Sequence, residues 1–104
     1  MKKIALEEHF GATDPNIVEQ SAEHFTPDAW PERRAALLDI HETRLQKMDE
    51  LGIEKVILSL LAPGIQSLYE RTEAVDWAHR LNDYAADQVA VNPERFASFA
   101  ALPM

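Results

Sequence analysis

The sequence KVILSLL, residues 55–61, is a short and nearly continuous apolar run. Strands of a parallel sheet are covered by helices on both faces, and they therefore read as such runs instead of alternating. Ala62, Pro63 and Gly64 follow the run and end it. We predict a buried parallel strand here, and the stretches on either side indicate what packs around it.

A helical stripe of apolar residues lies upstream of this strand. The stripe consists of Leu37, His41, Leu45 and Met48, with Leu38 and Leu51 nearby. Its spacing of three and four residues is typical of a helix with one buried face. Gly52 lies where a C-terminal cap belongs, and Pro31 is compatible only with a first helical turn. The pattern predicts one helix that starts between Asp28 and Glu32 and ends at Gly52.

The beginning of the chain predicts a strand followed by a long loop. Residues 3–9 alternate imperfectly between apolar and polar, which predicts a strand that ends near Glu8 or His9. The alternation assigns three residues to one face of this strand: Ala5, Glu7 and His9. Residues 10–27 lack periodicity, and a loop of that length commonly serves a function.

Downstream of the buried strand, the pattern predicts a second helix and a third strand. The helix covers roughly Ser67 to Val91, and Asn92-Pro93 ends it. Its apolar face comprises Ala74, Val75, Ala78, Leu81, Ala85 and Val89. Arg95 to Leu102 predicts a third strand. Strands that alternate with helices indicate an α/β fold with a parallel sheet and right-handed crossovers, and this pattern leaves open whether the sheet is open or part of a barrel.

Composition places the chain among ordinary globular domains. Of its 104 residues, 46% are hydrophobic and 27% are charged, which argues against disorder. There are 10 Lys and Arg against 18 Asp and Glu, and the net charge of −8 argues against nucleic acid and anionic membranes as partners. No apolar run approaches the length of a membrane span. The absence of cysteine excludes disulfides and thiolate metal sites, and we expect a cytoplasmic protein.

Glu7, Glu8 and His9 form the one chemical constellation in the sequence. Residues two apart on a strand point to the same face, so Glu7 and His9 are expected to converge while Glu8 points away. A carboxylate and an imidazole suit a divalent metal ion, and parallel α/β folds carry their active sites at the carboxyl ends of strands. By itself, a lone Glu-x-His is a weak motif, and it more often marks an exposed strand end that binds nothing than a metal site.

Other candidate residues have structural interpretations. His41 lies on the apolar stripe of the first helix, which favours a hydrogen-bonded interface histidine. His79 is predicted at the solvent edge of the second helix, and Trp30 and Trp77 are predicted to pack. Ser59 lacks the Gly-x-Ser-x-Gly context of a nucleophile, and the three glycines are too far apart for a phosphate-binding loop.

Four stretches of the sequence resemble one family. Ala5-Leu6-Glu7-Glu8-His9-Phe10 resembles the first strand of the metal-dependent aromatic acid decarboxylases of the amidohydrolase superfamily, and within it the γ-resorcylate and 2,3-dihydroxybenzoate branch. Three further stretches resemble later elements of that family: Leu38-Asp39-Ile40 with Thr43-Arg44-Leu45 and Met48-Asp49; Gly52-Ile53-Glu54 with Ile57-Leu58-Ser59-Leu60 and Ala62-Pro63; and Asn82-Asp83 with Pro93-Glu94-Arg95-Phe96 and Phe99-Ala100-Ala101-Leu102-Pro103.

The resemblance implies a (β/α)8 TIM barrel with one divalent metal ion, Zn2+ or Mn2+, and no organic cofactor. Glu7 and His9 stand where the first two metal ligands of the family lie, and a later His and a later Asp complete the site in those relatives. Phe25, Ala62 and Pro63 would line the pocket of a small aromatic carboxylic acid. The resemblance also implies that the ion would hold the carboxylate and ortho-phenolate oxygens of that acid, and that protonation of the ring carbon bearing the carboxylate would permit loss of carbon dioxide.

We interpret residues 1–104 as the N-terminal part of an amidohydrolase-related barrel domain cut after its third strand, because such a barrel needs about 250 residues. We expect the chain alone to bind metal weakly and to catalyse no decarboxylation, and the full-length protein to be a homo-oligomer, a dimer or tetramer. Two alternatives remain open. One is part of a superfamily hydrolase that acts on a lactone or amide, and the other is a non-catalytic α/β module that acts through protein contacts.

Overall fold

The computed structural model describes residues 3–11, 18–62 and 64–103, apart from the side chains of Glu7 and Ser21. In this part of the chain, three strands form a parallel sheet in the order β1 (Lys3–Phe10), β2 (Ile53–Leu60), β3 (Phe96–Ser98). The α-helices are α1 (Trp30–Leu38), α2 (Thr43–Leu51) and α3 (Arg71–Val91). Two 3-10 helices follow the ends of β1 and β2, at Val18–His24 and Gly64–Ser67. The predicted parallel α/β arrangement is confirmed.

The core lies between the sheet and its helices. Val56 and Leu58 of β2 are 1% and 0% exposed, and they pack in one cluster with Met48 of α2 and Ala85 of α3. β2 is the middle strand, so it has a neighbouring strand at each edge as well as helices over one face. The covered face explains why Val56 and Leu58 are apolar.

The single helix predicted from residues 28–32 to Gly52 is wrong, because the chain forms two helices there. Asp39 has an extended backbone, with φ −86° and ψ 121°, and this ends α1. Its carboxylate then accepts hydrogen bonds from the backbone N–H groups of Glu42 at 3.0 Å and Thr43 at 2.7 Å. The Asp39 carboxylate thus provides hydrogen-bond acceptors for backbone N–H groups at the start of α2, which have no acceptor within that helix.

The boundaries of the second predicted helix and the third predicted strand also differ from expectation. α3 begins at Arg71 instead of Ser67, since the Glu70 carboxylate accepts hydrogen bonds from the N–H groups of the first turn. β3 ends at Ser98 instead of Leu102, because the Asn82 amide on α3 takes both the N–H and the carbonyl of Ala101, at 2.7 and 2.9 Å. None of the described helices is long and apolar enough to cross a membrane.

A β-bulge interrupts β1 and changes its alternation. Ala5 pairs with Val56, and Glu8 pairs with Leu58, so three steps along β1 match two steps along β2. The extra residue lies between Ala5 and Glu8, which is the geometry of a bulge. Ala5 consequently packs against the helix-side core, and its predicted place on the same face as His9 is wrong.

Candidate functional site

The carboxyl end of β1 is anchored by Phe10. This side chain is 2% exposed, and its ring centroid lies 6.1 Å from that of Tyr84 on α3. Its carbonyl accepts a hydrogen bond from the N–H of Leu61 at 3.0 Å. His9 is exposed, and consecutive strand side chains point to opposite faces. The imidazole of His9 is therefore directed to the face of the sheet opposite the helices.

The structure tests the predicted direction of only one of the two glutamates before His9. Glu8 is half-buried and lines a cavity of about 260 Å3 on the helix side, together with Arg44, Met48 and Val56. It is directed away from His9, as the sequence predicts. The side chain of Glu7 lies outside the described part of the structure, so the convergence of Glu7 and His9 stays a prediction.

Arg44, in the first turn of α2, contacts the backbone of the strand end. Its Nη2 donates to the carbonyl of His9 at 3.0 Å and to the carbonyl of Ala36 at 3.0 Å. Burial lowers the pKa of Arg44 from its ordinary value, although the charges of Glu8 and Asp39 act in the opposite direction. The guanidinium remains a charged donor, since an arginine pKa starts far above neutrality.

The carboxyl ends of β2 and β3 border a second cavity of about 260 Å3. Its lining comprises Ser59, Leu60, Leu61, Gly64, Gln66, Phe99, Ala100, Ala101 and Leu102. Ala62 is exposed and directly follows Leu61, so it lies next to this cavity. Pro63 lies outside the described residues. The pocket role assigned to Ala62 and Pro63 is therefore still an expectation.

Phe25 is placed on the loop between the first 3-10 helix and α1. It is 38% exposed, and its ring stacks on Trp30 with centroids 5.7 Å apart and planes 26° apart. This contact agrees with the predicted packing role of Trp30. The role of Phe25 beside a substrate also remains an expectation.

The segments that follow β1 and β2 meet through two polar side chains. The Gln20 amide donates to Ser67 Oγ at 2.6 Å, and that hydroxyl donates to the carbonyl of Gly64 at 2.7 Å. Gln20 Oε1 is buried without a hydrogen-bond partner in the described part of the protein. The contact brings the first 3-10 helix over the end of the second strand, where barrels place their active sites.

His41 and His79 lie where their predicted structural roles place them. His41 Nε2 lies 2.9 Å from Gln88 Oε1, and its ring meets the edge of Phe96 with centroids 5.6 Å apart. The predicted interface histidine is confirmed, and His79 is exposed on α3 as predicted. Within the ranges that the structure describes, no group of three or more His, Cys, Asp or Glu side chains is arranged to hold a metal ion.

Sequence reasoning missed Arg44, Gln20 and Asn82. Their contacts join residues 35, 47 and 19 positions apart in the chain, and only packing brings such residues together. The sole signal for Arg44 is its presence in the stretch Thr43-Arg44-Leu45 that resembles the decarboxylase family.

The class of this protein follows from solved structures: its parallel β/α units match part of amidohydrolase-fold decarboxylases and are consistent with the N-terminal portion of their α/β barrel. The dihydroxybenzoic acid decarboxylase from Polaromonas sp. JS666, with bound manganese and the inhibitor 2-nitroresorcinol, has a TM-score of 0.95 and 50% identity over 99% of this chain and 30% of its own. A 2,6-dihydroxybenzoate decarboxylase complexed with 2,6-dihydroxybenzoate has a TM-score of 0.94 and 46% identity over 98% of this chain and 31% of its own.

Sequence comparison identifies which decarboxylases within this class are similar to the chain. A γ-resorcylate decarboxylase from Polaromonas sp. (strain JS666 / ATCC BAA-500) is 52% identical over 103 residues, which are 98% of this chain and 31% of the relative. No protein-family model matches the chain. The chain is a homologue of the γ-resorcylate decarboxylases, and it spans about 31% of the length of the curated relatives that it matches.

Proposed function

We propose that this chain is the N-terminal part of a non-oxidative, divalent-metal-dependent decarboxylase of hydroxybenzoate-type acids, which releases carbon dioxide. The observation that carries the proposal is the TM-score of 0.95 with a decarboxylase that holds manganese. His9 at the carboxyl end of β1 supports it, since barrel enzymes place their chemistry at this end. A lactone or amide hydrolase and an interaction module are not favoured, because the similar proteins are decarboxylases.

Glu7 and His9 are the proposed metal ligands of this part of the barrel. A carboxylate oxygen and a neutral imidazole nitrogen fit either Mn2+ or Zn2+. His9 is exposed on the face opposite the helices, where an ion could reach it. A catalytic metal ion normally has three protein ligands, so the remaining ligands would come from later strands. When bound, the ion would hold the acidic oxygens of the substrate and withdraw charge from them.

The proposed substrate is a small aromatic carboxylic acid with a hydroxyl group next to the carboxylate. A similar decarboxylase was solved with 2,6-dihydroxybenzoate bound. A phenol ring accepts a proton at the carbon that bears the carboxylate, and loss of carbon dioxide then restores the aromatic ring without an organic cofactor. Phe25, Ala62 and Pro63 are the proposed contacts of this chain with the ring. We also propose a cytoplasmic homo-oligomer for the whole protein.

A chimera tests the proposed function. This chain would replace the matching residues of the Polaromonas γ-resorcylate decarboxylase, and carbon dioxide release from 2,6-dihydroxybenzoate would be measured with Mn2+ or Zn2+. We expect an active chimera that loses most of its activity with Glu7→Gln or His9→Ala. His79→Ala is the matched control, because His79 is exposed on α3 and should not matter. An active chimera that tolerates both ligand substitutions would overturn the proposal.

The 104-residue chain is expected to behave differently from that chimera. With two of the ligands, it should bind Mn2+ weakly and release no carbon dioxide. Activity of the chain alone that depends on Glu7 would contradict this expectation.

A further inference from the structure

Arg44 joins three segments of the chain: β1, α1 and α2. It lies in the first turn of α2, and its Nη2 donates both to Ala36 near the end of α1 and to His9 at the end of β1, each at 3.0 Å. The N–H of Gly11, two residues after His9, donates to the carbonyl of Leu37 at 2.9 Å. The end of β1 is thus attached to the α1–α2 corner at successive points.

The direction of the His9 carbonyl explains why a side chain is needed there. The carbonyl of Phe10 accepts from Leu61 on the β2 side of the sheet. Successive carbonyls of a strand point to opposite edges, so the carbonyl of His9 points to the other edge. β1 is an edge strand of the described sheet, and Arg44 donates to this carbonyl at 3.0 Å.

The chemistry of Arg44 suits this position. A guanidinium is a rigid planar donor, and hydrogen bonds from a charged donor are stronger than those between neutral groups. Glu8 lies next to His9 in the strand and lines the same cavity as Arg44. The backbone at His9 is therefore held through its carbonyl by a charged donor.

We propose that Arg44 is a positioning residue for the metal site: by holding the carbonyl of His9, it orients the Glu7–His9 strand end toward a divalent ion. This inference rests on the proposed metal-binding function. Groups that orient a ligand without touching the metal typically contribute tenfold or more to metal affinity, and Arg44 would act in that way through the backbone.

The test uses the 104-residue chain and Mn2+ alone. Paramagnetic broadening of NMR signals locates and titrates weak Mn2+ binding, and hydrogen exchange of the Phe10 and Gly11 amides reports the order of the strand end. We expect Arg44→Gln to weaken Mn2+ binding at His9 about tenfold and to speed exchange of these amides. Arg44→Lys keeps one charged donor and should recover part of both losses.

Arg95→Gln is the matched control, because Arg95 contacts two carbonyls at the opposite end of the sheet. It should lower the free energy of unfolding and leave the Mn2+ affinity of the folded chain unchanged. If Arg44→Gln and Arg44→Lys both retain wild-type exchange and affinity, Arg44 does not position the site, although the metal proposal stands. If the wild-type chain shows no Mn2+ effect at His9, the expected weak Mn2+ binding by this chain is refuted, and the exchange data alone decide whether Arg44 holds the strand end.

Discussion

The two ends of the sheet are built differently. At the amino ends, Arg95 donates to the carbonyls of Glu54 at 2.7 Å and Ile53 at 3.1 Å, and it pairs with Asp49 at 2.7 Å. Gly52, with φ +71°, ends α2 immediately before β2 in a conformation that suits glycine. One arginine and one glycine therefore close the junction between α2, β2 and β3.

At the carboxyl ends, contacts from side chains to the backbone hold longer segments in place. Arg44 holds His9, and Asn82 holds Ala101. Two polar side chains also lie at this end. His9 is exposed. Gln20 Oε1 is buried and has no hydrogen-bond partner in the described part of the chain. The comparison indicates that the amino ends contribute stability, whereas the carboxyl ends hold chemical groups in position.

The largest expected effect tests whether one core supports both ends. Phe96 begins β3 at the amino side and is 1% exposed, and Phe10 ends β1 at the carboxyl side and is 2% exposed. Each substitution to alanine should lower the free energy of unfolding by about 3–5 kcal/mol, since a buried ring is replaced by a cavity. Urea denaturation measures both values. A much smaller loss for Phe10→Ala would mean that the carboxyl end is not packed into the common core.

The next effect concerns the amino-end arginine. Arg95→Gln removes a charged donor from two carbonyls and from Asp49, and we expect a loss of about 2 kcal/mol in the free energy of unfolding. The carbonyl contacts should account for most of it, because Asp49 is 66% exposed and exposed ion pairs contribute little. Asp49→Asn is the control and should have a small effect. Equal losses for the two variants would contradict this division.

Sequence patterns predicted the middle of the fold better than its corners. The apolar run at residues 55–61 predicted β2 because the middle strand of a parallel sheet reads as a nearly continuous apolar run. The helix break at Asp39 was missed because the apolar stripe keeps its spacing across the break, and only the capping chemistry of Asp39 could have revealed it. The bulge in β1 was missed because the pairing of Ala5 and Glu8 with β2 sets it.

The candidate site was predictable in part for a related reason. His9 was found because chemical residue type and strand position both occur within a few residues of sequence. Its partner Arg44 was not, because their contact depends on how α2 packs.

Alanine substitutions of two glycines at opposite ends of the sheet should lower the free energy of unfolding for different reasons. A Cβ at Gly11 would lie 2.8 Å from Val18 Cγ2, so Gly11→Ala should cost about 1–3 kcal/mol through overpacking. A Cβ at Gly52 would meet nothing within 4 Å, so Gly52→Ala should cost about 1 kcal/mol through its positive φ alone. Unfolding of both variants alone and with Val18→Ala separates these causes. We expect Val18→Ala to reduce the loss of unfolding free energy caused by Gly11→Ala and to leave that of Gly52→Ala unchanged. An equal reduction for both glycine variants would refute the distinction.

The smallest effect is a dependence on pH confined to the carboxyl end, where two carboxylates cap helices. Burial alone would raise the pKa of Asp39, but hydrogen bonds from the backbone N–H groups of Glu42 and Thr43 outweigh it and lower that pKa. The N–H groups of Glu73 and Thr72 lower the pKa of Glu70.

Because both pKa values are lower in the folded state, the two caps stabilise the fold above the ordinary carboxyl pKa of about 4, and this stabilisation is lost as the pH falls through the lower folded values. The cap at Asp39 should contribute about 1 kcal/mol or less. We expect Asp39→Asn with Glu70→Gln to reduce the fall in unfolding free energy between about pH 5 and pH 3. Gly52→Ala should leave that fall unchanged, because the cap at Gly52 carries no titrating group. An acid-induced loss of the same size in wild type and the double variant would mean that other carboxylates dominate, and that the two ends of the sheet do not differ in their response to acid.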